Sequence, residues 1–83
     1  MNTSVRRHLF GVMREARQLA GATQAEAAAV ARCSYGTISN AEAGRADLSA
    51  GQIADLRLFY LQRIAARLSC LEQIACPDPD EGN

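Results

Sequence analysis

The chain has 83 residues, 48% of them hydrophobic, no Trp and a formal net charge of zero. That describes one small domain whose apolar content is inflated by Ala, so the core is small and help from a second subunit is expected. No run of about eighteen apolar residues is available to cross a membrane, and the opening segment lacks the apolar stretch of a signal peptide.

Cys33, Cys70 and Cys76 are an odd set with no Cys-x-x-Cys pair, and His8 is the single His. This argues against a disulfide framework and against a zinc site, and predicts reduced thiols in a cytoplasm, with no metal and no cofactor. The charge is unevenly divided. Met1–Asp47 holds six Arg against four acids, and Leu48–Asn83 holds three Arg against five. Every cation is Arg, the side chain that forks onto phosphate and guanine.

In chain order, Leu9, Val12, Met13, Ala16 and Leu19/Ala20 recur at helical spacing. They predict a first helix over Val5–Ala20, capped by Thr3 or Ser4 and ended by Gly21. Thr23-x-x-Glu26 is a capping box that opens a second helix rich in small Ala side chains, which let neighbouring helices approach closely. Arg32-Cys33-Ser34 is a tight turn. Ser34 caps a third helix, Tyr35–Ala43, which Gly44 stops. Ser49-x-x-Gln52 is a second capping box, with Leu48 and Ile53 in the positions of a hydrophobic staple.

After Gly51, in the opening turn, no Gly or Pro follows until Pro77, which predicts one helix over Ala50–Ala75. Ile53, Leu56, Phe59 and Tyr60 form a face for the other three helices. Leu58–Leu61 is apolar on all sides and predicts burial from two directions. Leu61, Ile64, Leu68, Leu71 and Ala75 then follow the three-four spacing of a helix-pair seam. The alternative is a bend near Tyr60 and a fifth helix folded back on its own subunit. The expected fold is therefore all-α: a compact bundle of four to five helices, the last one long and dimer-forming. Its expected divisions are a helical domain over 1–60, a dimerising extension over 61–75 and a disordered acidic tail over 76–83.

Two short helices joined by a tight turn, the second with small polar groups on one face and Ile38 on the other, make a helix-turn-helix. The chain resembles the Cro-like (XRE) helix-turn-helix family, which includes phage lambda-type repressors. The resemblance is carried by Arg17, Gly21, Thr23-Gln24, Glu26, Ala28, Ser34, Thr37-Ile38-Ser39, Glu42 and Gly44-Arg45. It covers about Leu9–Tyr60. It implies that Gln24 anchors a phosphate, that Ala28 is buried where the two helices cross, and that Ile38 packs the recognition helix inward. It also implies an Arg17–Glu42 scaffold pair, and base-facing positions at Tyr35, Gly36 and Asn40. Two departures stand out. Arg32 occupies the turn position where such proteins usually carry Gly, and nothing breaks the fourth helix.

Asn40 suits bidentate pairing with adenine, and Thr37 suits contact with a thymine methyl. Gly36 permits close approach, and Tyr35 is open to either a base or a phosphate. Phosphate contacts are expected from Thr23, Gln24, Ser39 and Arg45, with Arg6 and Arg7 as candidates for a short arm. The function implied is a sequence-specific regulator of transcription that binds double-stranded DNA. Its expected form is a homodimeric repressor, reading an inverted repeat with recognition helices about 34 Å apart. The competing reading is an antitoxin or adaptor whose long last helix holds a partner protein. An enzyme is not expected: His8 stands alone, and no phosphate-cradling Gly loop is present.

Overall fold

The computed structural model describes residues 3–74, with side chains from residue 5 onward. Within that span the architecture is all-α: α1 (Thr3–Leu19), α2 (Gln24–Ala31), α3 (Tyr35–Glu42) and α4 (Ala50–Glu72). The expected division over 76–83 lies outside the described residues.

The caps act as the local chemistry dictates. The Thr23 hydroxyl accepts from the Glu26 amide at 3.0 Å, and the Glu26 carboxylate accepts the Thr23 amide at 3.1 Å. Ser49 and Gln52 repeat the arrangement at the start of α4. Gln52 does a second job, because its Nε2 donates to the Ala31 carbonyl at 2.9 Å. One side chain thus joins the start of α4 to the end of α2.

Gly21 (φ +65°) and Gly44 (φ +78°) close α1 and α3 in the left-handed region. Arg32 also lies there, at φ +57°. For a residue with a Cβ this conformation costs of order 1 kcal/mol. The Arg32 and Cys33 amides still reach the Ala29 and Ala28 carbonyls, so the last turn of α2 is satisfied.

The core is built from small parts. Ala27, Ala28 and Ala31 of α2 are buried, as are Ala20 and Ala22 beside them. Their size lets α2 sit close to both α3 and α4. Into that space go Ile38 of α3 and Leu56 of α4, the largest fully buried side chains, with Tyr60 completing the cluster. Arg63, one turn on, stacks over the Phe59 ring at 5.2 Å and donates to Glu26 at 2.6 Å, tying α4 to the start of α2.

Several boundaries and faces differ from the sequence reading. Thr3 and Ser4 belong to α1 itself, so neither is its cap. The helix ends at Leu19, and Ala20 lies in the turn. Its buried face includes Phe10, whereas Val12 and Leu19 are exposed. The cause is that α1 packs on two neighbours, α3 and α4, and so buries a stripe rotated from the one expected. α3 ends at Glu42, with Ala43 as its C-cap. α4 passes Tyr60 without a break and ends at Glu72, three residues before the expected Ala75, which lies outside the described residues. No fold-back helix forms over the described span. Leu58 and Leu61 are exposed, so the expected burial from two directions is not met within one chain.

Candidate nucleic-acid interface

α3 turns one side inward and leaves the other open. Ile38 and Ala41 are buried, and at about 100° per residue Gly36 and Asn40 lie nearly opposite Ile38. Both are exposed. Tyr35 and Ser39 form one flank of the helix and Thr37 the other. Tyr35 is 59% exposed, a large ring held at the surface. The Thr37 hydroxyl is engaged in the cap of α3, 2.9 Å from the Ser34 hydroxyl, while the Thr37 amide donates to Ser34 Oγ. Beside its methyl group, the Thr37 hydroxyl keeps hydrogen-bonding capacity beyond this one contact.

The flank carrying Tyr35 and Ser39 opens onto a cleft of about 670 Å³, whose other walls are the start of α2 and one side of α1. Thr23, Gln24 and Ala25 line it from α2; Arg14 and Arg17 line it from α1. The α2 terminus brings amides and the positive end of a helix dipole to this space.

At the floor of the cleft lies an ion pair. Arg17 Nε donates to Glu42 Oε2 at 2.7 Å and Nη2 donates to Oε1 at 3.0 Å, a forked pair; Nη1 donates to the Ala22 carbonyl at 3.0 Å. Gln24 Nε2 donates to the same Glu42 carboxylate at 3.1 Å. Hydrogen bonding to Glu42 raises the Arg17 pKa above its already high ordinary value; burial opposes this, and the carboxylate's charge adds to it. The Arg17 charge is thus compensated inside the protein. Arg14, exposed and with no ion-pair partner among the described residues, is the cation that gives the cleft its sign.

The remaining basic residues of this half gather elsewhere. Arg6 pairs with Asp47 at 3.1 Å, its Nε is buried without a hydrogen-bond partner among the described residues, and the Arg7 side chain passes beside Gly44. Arg45 is exposed in the same α3–α4 loop, and its amide donates to the Asn40 carbonyl at 2.7 Å. The structure therefore sorts the sequence-predicted residues into three places. Gly36 and Asn40 occupy the outward face of α3, with Thr37 at its edge. Tyr35, Thr23, Gln24 and Ser39 share the cleft. Arg6, Arg7 and Arg45 surround the loop after α3. Arg14 was missed by the sequence reading. The signal was present: Arg14 precedes Arg17 by one helical turn, so fixing Arg17 on Glu42 fixes Arg14 on the same side of α1.

Glu26, which caps α2 beside the cleft, has its pKa lowered. The Thr23 amide is the main cause and the Arg63 guanidinium the next. Its contribution to the cap is therefore present above the ordinary carboxylate range and lost as pH falls through the lowered value.

A buried-faced α2 crossing an open-faced α3, with a cleft at the α2 terminus, defines a helix-turn-helix domain. Residues 9–60 match the family described as helix-turn-helix domain, and the chain belongs to that family, consistent with its resemblance to Cro-like (XRE) proteins. That places it among DNA-binding regulators, a class that is typically non-enzymatic. No curated protein and no solved structure gives a match. Among the described residues, no helix is long and apolar enough to cross a membrane and no group of His, Cys, Asp or Glu is gathered to hold a metal ion.

Proposed function

We propose that this protein is a sequence-specific regulator of transcription, acting as a homodimeric repressor on an inverted-repeat operator, including its own promoter. A phage, another mobile element or a small operon is its natural setting. The observation that carries this reading is the open side of α3. Gly36 and Asn40 stand clear on it, and α4 leaves the domain over Gly21, where a Cβ would collide with the Arg67 guanidinium, not across α3.

In this reading Asn40 reads adenine, Thr37 offers its methyl to a thymine, and Gly36 lets the helix come close. Tyr35 sits at the border between bases and backbone. Thr23, Gln24, Ser39 and Arg14 hold a phosphate in the cleft, and Arg45, with Arg6 and Arg7, holds backbone beyond the other end of α3. Segment 61–75 supplies the dimer through Leu61, Ile64, Leu68 and Leu71, which brings two recognition helices to one face of the duplex. Selection of bound sequences from random DNA followed by footprinting is the test. A palindromic consensus supports the reading. Asn40→Ala should then weaken the selected site by about 1–3 kcal/mol and relax one position of it; equal loss on random DNA would refute its base-reading role.

A second reading draws on the exposed Leu68, Leu71 and Ile74, an apolar helix end suited to a partner protein. Light scattering separates the two, since a monomer favours the partner protein and a dimer favours the repressor.

A further inference from the structure

The inference that follows rests on the homodimer reading above and specifies its geometry. An apolar groove of about 250 Å³ runs between α1 and α4, lined by Leu9, Val12 and Met13 on one side and Ile53, Leu61 and Ile64 on the other. Arg57 stands in the same groove. Beyond it, α4 overhangs the domain. At about 100° per residue, Arg57, Leu61, Ile64, Leu68 and Leu71 fall on one continuous stripe of α4. Leu68 is 54% and Leu71 62% exposed, so the stripe begins as the wall of a groove and ends as an uncovered ridge.

The charges on the stripe set a direction. Neither Arg57 nor Glu72 has an ion-pair partner among the described residues. Glu72 ends α4, and the last turn holds no cation, so the carboxylate lies at the negative end of the helix dipole. A parallel pairing of two α4 helices would set Arg57 level with Arg57 and Glu72 level with Glu72. An antiparallel pairing sets each Arg57 level with a Glu72.

We propose that the occupant of the groove is a second copy of this chain, with the two α4 helices antiparallel and a two-fold axis passing between Ile64 and Ala65. In that register Leu61 meets Leu68 of the second copy, and Arg57 meets its Glu72. Leu71 of the second copy enters the groove beside Val12. Groove and ridge lie on one stripe, so each copy offers both and the contact closes as an isologous dimer. The recognition surface stays free. Val12 and Arg14 are two residues apart on α1 and so point in nearly opposite directions; one lines the groove and the other the DNA-facing cleft.

Two experiments test the register. In a background of Cys33→Ala, Cys70→Ser and Cys76→Ser, the pair Leu61→Cys and Leu68→Cys is oxidised and digested at Arg. Positions 61 and 68 lie about 10 Å apart along one helix, beyond the ~7 Å reach of a disulfide, so any bridge joins two chains. Bridges between 61 and 68 are expected; bridges of 61 to 61 and 68 to 68 would overturn the antiparallel arrangement while leaving the homodimer intact. In the otherwise native chain, Arg57→Glu or Glu72→Arg alone should raise the dimer Kd about tenfold, and the double exchange should return it to within about threefold. A dimer indifferent to all three exchanges overturns the register alone. A chain that stays monomeric at every concentration overturns both the register and the homodimer reading.

Discussion

Replacing Glu42 with Ala should lower the unfolding free energy by about 3 kcal/mol. The figure comes from the environment of the pair. The Arg17 and Glu42 side chains keep only 12% and 9% of their exposure, so each has given up most of its water. Without the carboxylate, the guanidinium retains, among the described residues, only the Ala22 carbonyl as a protein acceptor. Breaking a buried pair by removing one partner costs about 3–5 kcal/mol, and the residual access to water places this pair at the lower end. Gln24 also loses its acceptor, but it sits on the open cleft and water can replace it.

A domain of this size has about 4–12 kcal/mol of stability in all, so the loss is a large share of it. The assay is urea unfolding at fixed protein concentration, because dimerisation would make stability concentration-dependent. With an m-value of about 1 kcal/mol/M, the midpoint should fall by about 3 M with the slope unchanged. Arg17→Met together with Glu42→Leu should recover most of the loss, since an apolar pair of similar volume leaves no charge stranded. A loss under about 1 kcal/mol for Glu42→Ala, or a double variant as weak as the single, would refute the claim that the pair is a desolvated scaffold bridge.

The other predictions concern the cleft, the turn and alkaline pH. Arg14→Ala should weaken binding to every DNA sequence by a similar factor and make the salt dependence shallower by about one unit, as removal of one phosphate contact requires; a sequence-selective loss in titrations at several salt concentrations would contradict the assignment. Arg32→Gly should raise the urea midpoint by the equivalent of roughly 0.5 kcal/mol, the relief of left-handed strain less the added freedom of the unfolded chain; a loss of stability would show that the Arg32 side chain contributes more than its backbone costs. Burial, aided by the Glu42 carboxylate, pushes the Tyr60 hydroxyl up to about 12. Between the ordinary value near 10 and that value the unfolded chain releases a proton that the folded one retains, so stability falls by as much as roughly 2–3 kcal/mol across that window. Tyr60→Phe should flatten that alkaline limb in stability measured against pH, and an unchanged limb would remove Tyr60 as its source.

Local chemistry wrote much of this protein directly into its sequence. Thr23 with Glu26, and Ser49 with Gln52, start helices because hydroxyl and carboxyl or amide groups three residues apart satisfy each other's nearby amides. Gly21 and Gly44 end helices because a left-handed residue without a Cβ is unstrained there. Ile38 as the inward anchor of α3 follows from helical period alone. What tertiary structure decided is everything that depends on how many neighbours an element has. α1 meets two helices, so Phe10 turned in and Val12 turned out, a rotation no single-helix pattern specifies. The spacing of Arg14 and Arg17 put both on one side of α1, but it took α2 and α3 folding against that side to make the cleft that Arg14 lines. The unbroken passage of α4 through Tyr60 was likewise open in the sequence, since an apolar stripe looks the same whether its own chain or another molecule covers it. Hydrogen bonds that close within a turn are local and legible; burial is a sum over distant neighbours, and only the assembled fold performs that sum.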